Sequence, residues 1–387
     1  VAACDPKPDA FKEKMEEWNF KGRKVQVFND YRMMLMSCQQ DLDFVVIPTP
    51  IPLHAEMHAY CVQLGLPVYL EKPPTLDAAE LEAMILTDKQ ATRATNVGFN
   101  FTVEVPRQTL KKRLLAGEFG KIKMLSLSAL WPRPREYYER ANWAGKLMLG
   151  EQLVLDSPLG NAMAHFVYNL LFWGGENGVL SWVNLTEVKA ELYRARKIEG
   201  ADTFFIEAKS DLGLPLRFAL THAVSGKHRH EERISCEKAT ISYKVNEGCT
   251  VTWTDGRVEK TDFGKLELHL DNLKDYLSFL RGEKDRPLNL LSDARSFVAV
   301  NNLAYIAAGQ IQNIPQDLLE PFVPVDGKSP NQPDVPVLPD GESWTEPFLE
   351  KGTWPSERFS WAKPGQSAAA ADLPRLRQVV EKMRTGK

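Results

Sequence analysis

Phe44-Val-Val-Ile-Pro-Thr-Pro50 and, beyond one intervening segment, Pro67-Val-Tyr-Leu-Glu-Lys-Pro73 decide the fold of this chain. Both runs are short, apolar and β-branched, and the segment His54 to Gly65 between them carries helical spacing, so together they predict a parallel βαβ unit. In such sheets ligands bind beyond the carboxyl ends of the strands. Glu71 and Lys72 fall at that place, and Pro73 and Pro74 forbid the strand from continuing. An exposed acid-base pair decorating a strand end is the plainer alternative.

Working outward, strands at Val25 to Phe28, Phe44 to Ile47, Val68 to Leu70 and Ala94 to Phe99 alternate with helices, a doubly wound α/β pattern. Val103 to Ala116 reads as a helix stopped at Gly117, and Ile122 to Trp131 alternates as a strand. From Leu180 to Phe263, alternating runs separated by turn signals, including Asp255-Gly256, predict a large, mainly antiparallel open sheet. Two helices follow, Leu270 to Leu280 and Leu291 to Ala308. The fold class is therefore α/β plus α+β: a doubly wound domain over 1–103, a second domain over 104–315, and an extension over 316–387. Ten of the 25 prolines lie beyond Glu320, too many for regular helix or sheet before about Leu373. Trp344, Trp354, Phe359 and Trp361 predict that this extension lies extended and anchored across the body, with linker disorder as the competing reading.

Composition narrows the partners. Forty-eight basic against 51 acidic residues leave a net charge of -3 without long runs of either sign, which argues against nucleic acid. Cys4, Cys38, Cys61, Cys236 and Cys249 are odd in number and scattered, so neither a disulfide framework nor a zinc ribbon is expected. A reducing, cytoplasmic compartment is the simpler assumption, although an export signal upstream of Val1 would leave no trace in this sequence. No apolar stretch is long enough to suggest a membrane span.

A second constellation surrounds Asp156-Ser157-Pro158. Ser157 reads as an N-cap and Pro158 as the first residue of one helix running to Trp173. Asn161, His165 and Tyr168 share a polar, uncharged face, where a solvated face would collect Lys and Glu. A histidine satisfied inside the core is the competing reading of His165. The preceding loop holds Trp131, Arg133, Arg135, Tyr137, Tyr138, Arg140, Asn142 and Trp143, side chains that stack on sugars and bind hydroxyls or carboxylates and that protein interfaces also favour. The run Lys227-His-Arg-His-Glu-Glu-Arg233 reads as a charged hairpin turn rather than a metal site, and no metal is expected.

Thr49-Pro50-Ile51-Pro52-Leu53-His54, Glu71-Lys72-Pro73, Val97-Gly98-Phe99-Asn100 and Gly117-Glu118-Phe119-Gly120-Lys121-Ile122 resemble, in order and kind, the glucose-fructose oxidoreductase, inositol dehydrogenase and MocA family of nicotinamide-dependent enzymes. The resemblance runs from Val1 to about Gly309. It implies NAD as cofactor, with Asp5 on the adenosine ribose, Thr49, Pro50, Leu53 and His54 lining the nucleotide, Glu71 at the nicotinamide ribose, and Lys72 and Asn100 at the nicotinamide end. It also implies a homo-oligomer. Members of the family carry an Asp-x-x-x-His pair on the corresponding helix, where this chain has Asn161-Ala-Met-Ala-His165; an amide cannot take a full proton, and Asp156 is the candidate to supply the lost charge. The opening Val1-Ala-Ala-Cys-Asp-Pro6 resembles the second strand of a dinucleotide-binding domain, and no Gly-x-Gly-x-x-Gly loop occurs. The expectation is a sequence lacking roughly one βα unit of about 30 residues, the alternative a protein that has lost cofactor binding.

The implied reaction is hydride transfer between a secondary hydroxyl of a sugar, polyol or related cyclic alcohol and nicotinamide. His165, with an ordinary pKa of about 6.5, suits the base, and Lys72 is assigned to orienting and polarising the oxygen. Asn161 and Asp156 complete the catalytic set, and Arg133, Tyr137, Trp143 and Tyr168 are the candidate substrate contacts. Two alternatives share the fold: a glycosidase or lyase assisted by transient oxidation, and a ligand sensor or partner-binding protein without turnover.

Overall fold

In the computed structural model, which describes residues 1–324 and 332–386, chain order begins with β1 (Ala2–Cys4), α1 (Lys12–Glu17), β2 (Gln26–Phe28), α2 (Tyr31–Cys38), β3 (Val45–Ile47), α3 (His54–Gln63), β4 (Val68–Leu70), α4 (Ala78–Asp88) and β5 (Asn96–Val97). All these strands pair in parallel, in two ladders, β1 with β2 and β3–β4–β5. Aspartates cap two of the helices as sequence chemistry dictates: Asp30 accepts from the Met33 amide and Asp77 from those of Ala79 and Glu80. The expected βαβ unit is present, with β4 buried throughout, whereas Val46 in the middle of β3 is 45% exposed.

The second part contains α5 (Val105–Leu115), β6 (Ile122–Leu130), α6 (Arg135–Glu139), the hairpin β7 (Met148–Leu149) and β8 (Gln152–Leu153), α7 (Ala164–Trp173), and strands β9 (Leu185–Arg194), β10 (Thr203–Ser210), β11 (Pro215–Thr221), β12 (Arg229–Cys236), β13 (Ala239–Lys244), β14 (Gly248–Trp253) and β15 (Val258–Asp262). After α8 (Leu268–Leu280) and α9 (Arg295–Ala308) come β16 (Ile311–Asn313), β17 (Glu320–Phe322), β18 (Gln332–Val337), α10 (Gly341–Lys351), α11 (Pro355–Arg358), β19 (Ser367–Ala368) and α12 (Leu376–Thr385). One ten-stranded sheet orders them β15-β14-β13-β12-β6-β11-β10-β9-β16, with β19 on β9. It is mainly antiparallel; β6 with β11 and β9 with β16 are the parallel pairs. Asp255-Gly256 turns β14 into β15, Gly256 adopting a φ of 90° that a glycine takes without strain.

Three expectations need correction. Residues 229–233 of the run 227–233 open β12, which pairs with both β6 and β13, so most of the run is strand rather than turn. Its alternation explains this: His230 stacks on Phe166 and Glu232 is fully buried, while Arg229 and Arg233 face the other way toward Glu342 and Glu350 of α10. The helix expected from Leu159 to Trp173 is broken; Pro158–Ala162 forms a π turn and α7 begins only at Ala164, although Ser157 does cap, accepting from the Gly160 amide at 2.9 Å. Finally, the extension is partly helical. Pro347 sits inside α10, where it cannot donate to the Ser343 carbonyl, and Arg358 Nη1 donates to that oxygen instead, at 2.9 Å.

Trp344, Phe348 and Trp354 pack on Leu130, Tyr193, Phe205 and Ala219, so the extension covers one face of the β6–β11–β10–β9 region while α7 and α9 cover the other. Among the described residues no helix is long and apolar enough to cross a membrane.

Candidate active site

Lys72 leaves the carboxyl end of β4 and its ammonium reaches into the π turn of the second domain. Nζ donates to the Asn161 carbonyl at 3.0 Å and to the Asn161 side-chain oxygen at 3.4 Å. The Asn161 amide nitrogen donates to Asp156 Oδ1 at 2.8 Å, which fixes the amide's orientation, nitrogen toward the carboxylate and oxygen toward the ammonium. Asp156, 3% exposed, also accepts the Gly145 amide at 2.7 Å and lies 3.4 Å from Arg140 Nη2. The Asn161 amide thus bridges the Asp156 carboxylate and the Lys72 ammonium. Burial pulls the Lys72 pKa down to about 8, against the opposing pull of Glu71 and Asp156.

His165 follows one turn later. Its ring lies 4.6 Å from that of Phe101 and 5.9 Å from that of Phe99, and its Nδ1 is buried without a partner among the described residues. Burial holds its pKa well below the ordinary value, and the positive charge of Lys72, followed by His269, adds to the effect. The expectation of an untuned histidine is therefore corrected: no carboxylate holds its proton, and the imidazole is neutral at neutral pH.

The residues expected around a nucleotide stand at the carboxyl ends of the parallel strands. Asp5 follows β1 and its carboxylate accepts the Lys7 amide at 2.7 Å. Pro50 and Leu53 are exposed beyond β3, and the Thr49 hydroxyl is spent on Met57 Sδ. His54 turns inward: Nε2 faces the Thr49 carbonyl at 2.8 Å and Nδ1 those of Pro73 and Pro74 at 3.1 and 3.2 Å, so it ties the loop after β3 to the loop carrying Lys72. Burial lowers its pKa while these carbonyls act in the other direction. Glu71 is half-buried and lies over Gly98, where a Cβ would come within 3.3 Å of its carboxylate, so the glycine leaves the acid its room. Asn100 is 1% exposed, its amide nitrogen 2.7 Å from His269 Nδ1 and its Oδ1 without a partner among the described residues. The acceptors Asp5 and Glu71, with the orphaned Asn100 oxygen beside His165's neighbour Phe99, fit the hydroxyl and amide donors of a nicotinamide dinucleotide.

Among the candidate substrate residues, Arg133 lies between the rings of Trp131 and Tyr137, each centroid 4.5 Å away, and its Nε is unpartnered among the described residues. Arg140 stacks on Tyr137 and Trp143 at 3.7 and 4.7 Å, linking this aromatic loop to Asp156. Tyr168 is the exception. It is 0% exposed, stacked on Phe99 at 3.8 Å with its hydroxyl directed at Asn289, so it belongs to the core and not to the crevice.

Several participants were not foreseen. Arg107 is buried in α5, donating to Glu104 at 2.8 Å and to Glu232 at 2.7 and 3.1 Å, while Asn169 and Trp173 of α7 also donate to Glu232. Lys111, one turn on, donates to the Phe172 and Trp173 carbonyls and to that of Gly175, capping the end of α7. Their signal was present: Arg107 and Lys111 share the face of Leu110 and Leu114, where a solvated charge does not belong.

The strand ends of the parallel N-terminal sheet thus meet the part of the chain built on the large mixed sheet at the half-buried Lys72. Residues 1–99 match the GFO_IDH_MocA family model, described as an oxidoreductase family with an NAD-binding Rossmann fold. Inositol 2-dehydrogenase of Rhizobium meliloti (strain 1021) is 28% identical over 103 residues, covering 26% of this chain and 31% of that protein. Among solved structures, an oxidoreductase from Agrobacterium radiobacter in complex with NAD+, L-tartaric acid and magnesium superposes with a TM-score of 0.65 at 17% identity, covering 80% of this chain and 88% of the other. The WlbA dehydrogenase of Bordetella pertussis in complex with NADH and UDP-GlcNAcA gives 0.61 at 23% identity, covering 79% and 86%. These two share the fold.

Proposed function

We propose that the protein is an NAD-dependent oxidoreductase that moves a hydride between a secondary hydroxyl of a sugar, polyol or related cyclic alcohol and nicotinamide. The observation that carries this reading is the Lys72 ammonium, held by Asn161 and Asp156 at the strand ends of an NAD-binding family domain. When bound, the dinucleotide supplies the hydride acceptor or donor. Asp5, Glu71 and Asn100 are the residues that would hold it, with Pro50 and Leu53 along its path.

The chain's own chemistry is the handling of one proton. With its pKa near 8, Lys72 takes the proton of the reacting hydroxyl at Nζ in oxidation and returns it in reduction, because a general acid-base group works best near the operating pH. Asn161 keeps Nζ on the substrate side, and Asp156 limits how far the pKa falls. His165, too weak a base to take that proton, positions the oxygen as a neutral hydrogen-bonding group. The roles of the two residues are thereby exchanged relative to the expectation from ordinary pKa values. Arg133, Tyr137 and Trp143 form the wall suited to a hydroxylated ring.

Screening sugars, polyols and sugar acids with NAD at the NADH absorbance band tests the reading. At least one should give turnover that falls by three orders of magnitude or more in Lys72→Met. Turnover surviving that substitution would overturn the assignment of Lys72, and NADH that neither binds nor reacts would overturn the function.

A further inference from the structure

A second cavity, of about 480 Å³, lies behind the loop that carries Tyr138 and Gly145. Gly145 lines it and directs its amide the other way, to Asp156, so the loop separates this cavity from Lys72. The volume is in the range of small-molecule sites.

Its inner wall is made by Arg196, which is 6% exposed. Nη2 donates to the His222 carbonyl at 2.9 Å, but Nε and Nη1 have no acceptor among the described residues. The neighbouring carboxylate, Asp202, is already committed to the amides of Ala195 and Arg196 and to the Thr203 hydroxyl, at 3.0 to 3.1 Å. Buried donors are rarely left in this state, and a guanidinium with two buried, unpartnered nitrogens asks for an oxyanion. Lys146 and Lys197 bring two further cations to the lining. Of the carboxylates there, Glu199 accepts the amides of Leu147 and Met148 at 2.9 and 3.2 Å, Asp334 pairs with Arg135 of the same lining, and Glu139 is exposed to solvent. Tyr138, Ile198 and Val335 supply apolar surface against which a carbon skeleton packs.

We propose that this cavity binds a small organic anion of sugar size, a phosphate ester or a carboxylate, whose charged group completes Arg196. The site does not depend on the reading of the Lys72 crevice. Calorimetric titration at constant ionic strength and without NAD, using inorganic phosphate, glucose 6-phosphate, gluconate and neutral glucose, tests it and separates the two anion classes. At least one anion should bind with millimolar or better affinity and glucose should not. Arg196→Gln should weaken binding tenfold or more, and Lys146→Glu severalfold. Should Arg196→Gln fail to fold, Lys146→Glu and the cavity-filling Ile198→Trp decide the matter. Lys72→Met should leave anion affinity unchanged, which keeps this result distinct from the fate of the proposed reaction. No binding by any anion, or equal binding by the wild type and the cavity variants, would overturn the proposal.

Discussion

Lys72 is a single cation set between opposing forces, and the balance predicts how rate depends on pH. Burial favours the neutral amine and the carboxylates of Glu71 and Asp156 favour the ammonium, leaving the pKa at about 8. Oxidation needs the neutral amine, so its kcat/KM should rise with pH and level off above about 8. Reduction needs the ammonium and should fall over the same interval. Lys72→Arg, whose guanidinium keeps its proton, should abolish both limbs and most of the rate. Asn161→Asp places a carboxylate directly against Nζ; it should move the limb upward by about 1 unit or more, as an adjacent opposite charge does, and pH-rate profiles check the direction. A profile unmoved by this change would remove Lys72 as the titrating group. Lys72 and His165 were both legible from residue type and position. Their relative basicity was not, because it arises from burial, from the carboxylates beside Lys72 and from the charge of Lys72 beside His165.

At the scale of elements, α7 is held by charges of α5, and the π turn before it by Lys72 in the loop after β4. Removing Arg107 would leave Glu104 and Glu232 uncompensated in the interior, where loss of one partner of a buried pair costs about 3–5 kcal/mol. Arg107→Leu should therefore lower the denaturation midpoint by that order, with unchanged denaturant dependence as the sign of a native-state effect. Lys111→Met leaves the terminal carbonyls of α7 without their donor and should cost about 1–3 kcal/mol, read in the same experiment. The N-cap Ser157 and the Pro158 that follows it were readable because their effects are local. The π turn was not. It places the Asn161 carbonyl on Lys72, a residue of the other domain, and no periodicity within the segment encodes that contact.

For the whole molecule, the extension closes a sheet face that would otherwise expose Leu130, Tyr193, Phe205 and Ala219. Trp344 and Phe348 are 6% and 0% exposed there, so Trp344→Ala and Phe348→Ala should each destabilise by about 3–5 kcal/mol in chemical denaturation. Unchanged stability would mean that the extension is dispensable to the sheet. The aromatic residues signalled anchoring, whereas the proline count concealed α10, since Pro347 is tolerated only because Arg358, a turn of chain away, takes up the carbonyl it leaves free.

The sequence by itself determined the alternation of parallel strands and helices, the large antiparallel sheet, and the placing of Lys72 beyond a strand end, because these follow from side-chain periodicity and backbone constraints acting over a few residues. Only the tertiary structure decided that Asp156 bonds Asn161, that His165 is a neutral group, that Tyr168 is core, and that Arg196 lines a cavity. Each of those depends on desolvation and on partners distant in the chain, and water exclusion is a property of the packed molecule rather than of any segment.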